Sequence, residues 1–372
     1  MSPDLPARPG QTEAEVLTPS LILDLGALER NVTRMGRLAS EAGIGHRSHG
    51  KMHRSVDVQL LQQRLGGACG VCCQKVSEAE AFVAGGIADL LVTNQVRQPA
   101  MVDRLARLAG AARVAVCVDD PASVAELSEA ATRHGSEIGV FVEMDVGQGR
   151  CGVATDAEVV DLARAAAQAP GLRFDGLQAY HGGMQHLPSA EARRETARGV
   201  ADRVRRAKAA LAEAGLPCPT VTGGGTGSWH EDAASGAFDE VQAGSYAFMD
   251  ADYGRVPGAR SARLDAEWEN ALFVLASVLS VKPGRAILDA GLKSMSGESG
   301  PPTVFGRKFE VVNLSDEHTV LADPANALKV GDRLRLIPGH CDPTCNLHDA
   351  YVCLRDGRVE ALWPVSARGR SW

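Results

Sequence analysis

Eight short strand-like segments, mostly separated by amphipathic stretches, recur through roughly 200 residues of this chain, and no other feature constrains its fold as tightly. The segments at 46–50, 68–73, 89–93, 114–118, 138–144, 174–180, 220–222 and 240–243 read as strands. The stretches at 27–41, 55–64, 77–84, 101–108, 121–134, 156–168 and 190–214 read as helices, the fifth with proline in its first turn. Alternation of this kind builds a parallel sheet covered by helices. A doubly wound open sheet is the competing architecture, because alternation alone does not show closure. The count of eight favours an α/β fold of the (β/α)8 TIM barrel type.

The texture changes near residue 271. Segments at 273–278, 285–288, 310–312, 333–337 and 351–354 are short strands between Gly, Pro and Asp turns, which predicts a second, mostly antiparallel β domain. The extended segment 19–24 precedes the first barrel helix and is free to join it. The expected organisation is a barrel over 26–265 and a β domain formed by 1–25 with 266–372.

Composition narrows the function classes. A hydrophobic content of 45% with 23% charged residues suits a soluble globular protein, and with only 4% aromatics its core must be aliphatic. A net charge of −7 offers no basic footprint, so no nucleic-acid partner is expected. Residues 1–15 lack the apolar region of a secretory signal, and the longest apolar stretch, 271–281, is too short to span a bilayer; no membrane partner is expected. Nine cysteines, an odd count without framework spacing, suit reduced thiols in a cytoplasm. Cys69-x-x-Cys72 lacks a second ligand pair and reads as core cysteines on a strand.

In a barrel, chemistry gathers where the strands end. Those positions here are Lys51, Gln74, Asn94, Asp119, Arg150, Tyr180-His181, the Gly223 to Thr226 run, and Gly244-Ser245-Tyr246. Lys51 stands out: it is one of only seven lysines among 39 basic residues, set in His46-Arg47-Ser48-His49-Gly50-Lys51-Met52-His53. A primary amine forms a Schiff base and a guanidinium cannot; a solvated surface lysine is the alternative. Thr222-Gly223-Gly224-Gly225-Thr226-Gly227 lets backbone N–H groups converge on an anion with threonine hydroxyls beside them, where a flexible turn is the alternative. Lysine and phosphate cradle together describe a pyridoxal phosphate site for a small-molecule substrate.

A second constellation lies in the β domain, in Pro338-Gly339-His340-Cys341-Asp342-Pro343-Thr344. On an extended segment His340 and Asp342 face one side and Cys341 the other. An imidazole with a carboxylate suits Mn²⁺, Mg²⁺ or a related divalent ion. A strand-end histidine followed by a turn-starting aspartate is the plainer alternative.

At these residues the chain resembles the D-threonine aldolases, within the alanine racemase-like, fold-type III group of pyridoxal phosphate enzymes. The resemblance runs from Thr18-Pro19-Ser20-Leu21 through His49-Gly50-Lys51-Met52-His53, Gly70-Val71-Cys72-Cys73-Gln74-Lys75 and Tyr180-His181-Gly182-Gly183 to His340-Cys341-Asp342-Pro343-Thr344. It implies that Lys51 links covalently to the cofactor, and that Gly224, Gly225 and Thr226 hold its phosphate with help from Ser245 or Tyr246. It also implies that Arg150 and Tyr180 contact the cofactor ring, and that His340 with Asp342 bind the activating metal, Mn²⁺ first. Met52 departs from the threonine common in the family. Asp342 stands where related D-serine dehydratases carry a cysteine, which is the aldolase-like choice.

The reaction so implied is retro-aldol cleavage of D-threonine and other β-hydroxy-D-α-amino acids to glycine and an aldehyde. His186 or a water on the metal is the candidate base for the hydroxyl proton, and His53 is a candidate for orienting Lys51 or aiding proton transfer. An ordinary loop histidine is the alternative for both. A homodimer is expected, since the related fold pairs head to tail. The rival activities are a dehydratase acting on D-serine or D-threo-3-hydroxyaspartate, a racemase, in which the metal pair has no part, and a non-catalytic pyridoxal phosphate carrier, whose single-barrel relatives lack a second β domain.

Overall fold

In a computed structural model of the protein, residues 5–259 and 261–372 are described; the first four residues of the 1–25 segment and Arg260 lie outside them. The chain divides into two compact units. One holds the chain up to Val32, Met52–Val58 and Ser245–Gly369; the other holds Thr33–Lys51, Gln59–Gly244 and Arg370–Trp372.

The first strand is β1 (Ser20–Asp24). The second unit is built on β2 (Gly45–His49), β3 (Gly70–Cys73), β4 (Asp89–Val92), β5 (Arg113–Val118), β6 (Ile138–Glu143), β7 (Leu172–Ala179), β8 (Thr220–Gly223) and β9 (Glu240–Val241). These eight strands pair in parallel, in chain order, and close into a barrel. The seam is β2 against β9, with Gly45 opposite Glu240 and His46 opposite Val241. Closure decides against the open sheet.

The helices begin and end where local chemistry dictates. In Pro121–His134, Asp120 accepts from the Ser123 N–H at 3.0 Å, proline opens the first turn, and Gly135 ends the helix at φ 63°. In Asp156–Gln168, Thr155 and Glu158 form a reciprocal capping box. Inside the barrel, Cys72, Leu91, Ala115, Cys117 and Phe141 pack as one buried layer. Cys72 is a core cysteine as expected, but Cys69, expected in the core with it, precedes the strand and is exposed.

Where several strands begin, the barrel carries an alternating charge chain. Arg47 bridges Glu240 and Asp89; Arg113 bridges Asp89 and Asp175; Arg173 binds Asp175. Glycine makes room for it: a Cβ on Gly70 would meet the Arg47 guanidinium, and one on Gly139 would meet the Asp175 carboxylate.

The other unit is a nine-stranded sheet formed by β1 with β10 (Leu272–Lys282), β11 (Gly284–Leu288), β12 (Thr303–Val304), β13 (Val311–Leu314), β14 (Thr319–Asp323), β15 (Arg333–Ile337), β16 (Ala350–Arg355) and β17 (Arg358–Pro364). Its central path runs β13-β14-β11-β10-β1-β16-β17, with β15 on β10 and β12 on β15. β1 lies antiparallel to β10 and parallel to β16, so the N-terminal extended segment does join this sheet. Ile22, Phe273, Leu275, Val352, Leu354 and Val359 form its core, each at most 2% exposed. Each such side chain contributes about 1.5–3 kcal/mol of burial energy. All nine cysteines are unpaired thiols, and among the described residues no helix is long and apolar enough to cross a membrane.

Candidate active site and metal centre

Lys51 follows β2 by two residues in a tight turn and is half-buried. The turn is fixed by Gly50, whose N–H donates to the Cys72 carbonyl at 2.8 Å. A Cβ on Gly50 would lie 2.8 Å from both Phe82 and Val71, so only glycine lets the chain pass. At the end of β2, His49 Nε2 lies 3.3 Å from both Gln74 Nε2 and Thr93 Oγ1, and Asn94 donates to the Gln74 carbonyl at 3.2 Å. The strand-end residues Gln74 and Asn94 therefore brace each other and the segment leading to Lys51.

Arg150 and Tyr180 come together, with the guanidinium carbon 5.7 Å from the ring centre. Arg150 Nη2 is also 3.5 Å from Glu143 Oε1. Burial raises the Glu143 carboxyl, opposed by the Gln95 hydrogen bond and by Arg150.

The glycine run forms a side-chain-free arch. A Cβ on Gly223 would lie 2.5 Å from the Ala179 carbonyl oxygen, and one on Gly224 (φ +70°) 2.5 Å from Asp232 Oδ2. One on Gly225 would lie 2.6 Å from Gln185 Oε1. Gln185 pins the arch by accepting from the Gly227 N–H at 2.9 Å and donating to Ser228 Oγ at 2.8 Å. Ser228 in turn accepts from the Gly225 N–H at 3.2 Å and donates to Asp232 at 2.6 Å. Burial pushes the Asp232 carboxyl up to about 7, with the Ser228 bond acting against it. The Thr222 hydroxyl differs from expectation: it accepts from Gln242 at 3.0 Å and bonds to Glu240, so it is committed within the barrel. Thr226, almost wholly buried, is the hydroxyl that belongs to the arch.

Ser245 and Tyr246 sit in the short 3-10 turn Ser245–Ala247 of the sheet unit, both buried, with the Tyr246 ring 5.2 Å from that of Trp268. His53 is fully buried; its Nδ1 accepts from the Ser55 N–H at 3.1 Å, so any proton it handles is at Nε2. His186 is exposed at the end of the 3-10 turn Gly182–His186.

His340 and Asp342 converge, though not along an extended segment. His340 caps a short helix, Cys341–Cys345, whose first turn accommodates Pro343. The helical turn brings Asp342 Oδ1 to 3.8 Å from His340 Nε2. Cys341 is not turned away: its thiol lies 3.5 Å from Asp342 Oδ1. Two donors each about 2.0–2.2 Å from a shared ion stand roughly 3–4 Å apart, so the pair fits a divalent cation. Burial opposes charge on His340, but its bond to Asp250 and the nearby Asp342 outweigh it and lift the ring to about 9.

Comparison with known proteins agrees with this geometry. Residues 23–252 match the family described as alanine racemase, N-terminal domain, and residues 271–354 match a serine dehydratase domain. The chain belongs to the alanine racemase-like family. It is 58% identical to a 3-hydroxy-D-aspartate aldolase from Paracoccus denitrificans, covering 99% of this chain and 96% of the relative. It is 49% identical to a D-threonine aldolase from an Arthrobacter species, covering 98% and 96%. The crystal structure of D-threonine aldolase from Filomicrobium marinum superposes with a TM-score of 0.95 at 42% identity, covering 99% of this chain and 100% of that one.

Alanine racemase-like enzymes of this fold type use pyridoxal phosphate, and the residues present fit it: a lysine in a turn fixed just past a strand end, and an arch with no room for side chains. Asp250, Gln185, Ser228 and Glu143 were not singled out in the sequence. Asp250 and Ser228 left local signals, because each stands immediately before a short helix, Ala251–Gly254 and Trp229–Ser235, where a capping residue belongs.

Proposed function

We propose that this protein is a pyridoxal phosphate- and divalent-metal-dependent aldolase that cleaves β-hydroxy-D-α-amino acids to glycine and an aldehyde. Its close homologues are named aldolases, and aldolases are lyases; it is an enzyme of that class. The observation that carries the metal-dependent reading is the convergence of His340 Nε2 and Asp342 Oδ1. Aspartate in that position suits an oxygen-seeking ion, with Mn²⁺ first and Mg²⁺ possible in its place. D-Threonine and 3-hydroxy-D-aspartate, named for the relatives, are the substrates to try first.

When bound, the cofactor supplies an electron sink for the charge left at Cα, and the ion lowers the pKa of the β-hydroxyl. Lys51 would anchor the cofactor through its primary amine. Gly224, Gly225 and Thr226 hold the phosphate, with Ser245 or Tyr246 assisting, and Arg150 with Tyr180 orients the ring. His340 and Asp342 hold the ion. His186, exposed and at its ordinary end-of-turn position, accepts the hydroxyl proton, while His53, through Nε2, steadies Lys51. We further propose a cytoplasmic homodimer.

Lys51→Ala tests the anchor. The purified wild type is expected to absorb near the visible edge and to release glycine from D-threonine; the variant should show neither. A variant retaining both would refute the assignment of Lys51.

A further inference from the structure

Asp250 is buried to within 1% of full exclusion from solvent and has both carboxylate oxygens engaged. Oδ1 accepts from the Tyr253 N–H at 2.8 Å. Oδ2 accepts from His340 Nδ1 and from the Cys341 N–H, each at 2.9 Å. The main chain beside it is fixed to the same stretch, since Ala251 N–H donates to the Pro338 carbonyl at 3.0 Å and Asp252 N–H to that of Gly339 at 3.1 Å.

The approach is sterically demanding. Met249, immediately before Asp250, is buried in the left-handed region at φ 54°, a conformation that costs about 1–2 kcal/mol for a side-chain-bearing residue. Its N–H is held by the Ser245 carbonyl at 2.7 Å. A Cβ on Gly339 would strike the Gly300 carbonyl oxygen. Strain at 249 and a glycine at 339 both serve to bring the Asp250 carboxylate against the imidazole.

A carboxylate can only accept, so His340 Nδ1 keeps its hydrogen toward Asp250, and when the ring loses a proton it is Nε2 that becomes the lone-pair atom. Nε2 is the atom that faces Asp342. Asp250, His340 and Cys341 also form a cluster whose donor atoms lie within 4.8 Å of one another, and that cluster is a rival ligand set. The hydrogen bonds discriminate between the two sets. Asp250 already accepts from three N–H groups, and the Cys341 thiol is a donor to both Asp342 and Asp250.

We infer that Asp250 is the positioning residue of the metal centre: it does not touch the ion, but holds His340 by Nδ1 so that Nε2 and Asp342 do. This rests on the reading of His340 and Asp342 as the cation site. Carboxylates in this relation to a ligating histidine set its tautomer and orientation, and their loss costs 10–100-fold in metal affinity.

The test is calorimetric titration of the cofactor-loaded, chelator-treated protein with Mn²⁺. Asp250→Asn is expected to weaken binding about 10–100-fold. Asp250→Glu, which keeps the carboxylate, should recover part of that loss, and Cys341→Ser should bind as the wild type does. Wild-type affinity in Asp250→Asn overturns the inference, as does an Asp250→Glu no better than Asp250→Asn, or a loss in Cys341→Ser. Should the Asp250 variants not fold, Co²⁺-loaded wild type decides: no thiolate-to-cobalt charge-transfer band supports the assignment, and such a band overturns it. If the wild type binds no Mn²⁺, or His340→Ala binds it equally well, the metal reading itself falls and this inference with it.

Discussion

Arg47 grips Glu240 across the seam that closes the barrel, with Nε at 2.8 Å and Nη2 at 3.0 Å from the two carboxylate oxygens. The side chains are only 10% and 14% exposed. Burial disfavours both charges, yet the pairing holds the Arg47 guanidinium above and the Glu240 carboxyl below their ordinary ranges. Glu240→Gln leaves Asp89 as the remaining charged partner of Arg47, so it should cost about 1.5–3 kcal/mol, read as a lower urea midpoint. Removing Asp89 as well leaves the buried guanidinium unpaired and should cost more than the sum of the two single changes.

Glycine at 224 is required on two counts, its φ of +70° and the 2.5 Å that would separate a Cβ from Asp232. Gly224→Ala should weaken cofactor retention at least about tenfold, measured as loss of visible absorbance on dialysis. Gly43 (φ +66°) has nothing within 4 Å of a Cβ, so Gly43→Ala should cost about 1 kcal/mol of stability and leave the cofactor in place.

His46 gives the fold a pH dependence of definite sign. Burial depresses its pKa from 6.5 to about 4, opposed by the bond from Nε2 to the Ala243 carbonyl at 3.0 Å. Above pH 6.5 neither state is charged. Between 6.5 and 4 only the unfolded chain takes up the proton, so stability falls as pH falls. The His46 contribution to stability should fall by about 2 kcal/mol between pH 7 and pH 5, opposed over the same range by Asp232, whose raised carboxyl takes up a proton in the folded state. It is read as the difference between wild type and His46→Gln in urea unfolding, which should shrink by that amount on going from pH 7 to pH 5.

Chelation should abolish turnover while leaving the cofactor's absorbance intact, because His340 and Asp342 belong to a different unit of the chain from Lys51 and the glycine arch. His340→Ala and Asp342→Ala should mimic chelation and resist rescue by added Mn²⁺. Full activity after exhaustive chelation would remove the metal from the reaction.

Much of this was legible in the sequence, for identifiable reasons. Most barrel strands carry apolar runs between amphipathic helices, and Lys51, one of few lysines, follows a strand of that series even though Gly45–His49 is itself polar. β12, β14 and β17 carry weak signals: Thr303–Val304 is two residues long, and the apolar runs in Thr319–Asp323 and Arg358–Pro364 are three residues each, 320–322 and 361–363. The geometry at His340 was misjudged in detail: Pro343 permits a helical first turn, and a turn joins Nε2 to Asp342 where an extended chain was expected. Asp250 lies 90 residues from His340 in sequence, and only the fold brings the two together.

The most direct measurement is the product set released from a β-hydroxy-D-amino acid by the Mn²⁺- and cofactor-loaded protein. Equimolar glycine and aldehyde, acetaldehyde from D-threonine or glyoxylate from 3-hydroxy-D-aspartate, is the predicted result. Ammonia with a keto acid, or glycine release that persists without either loaded group, would contradict it.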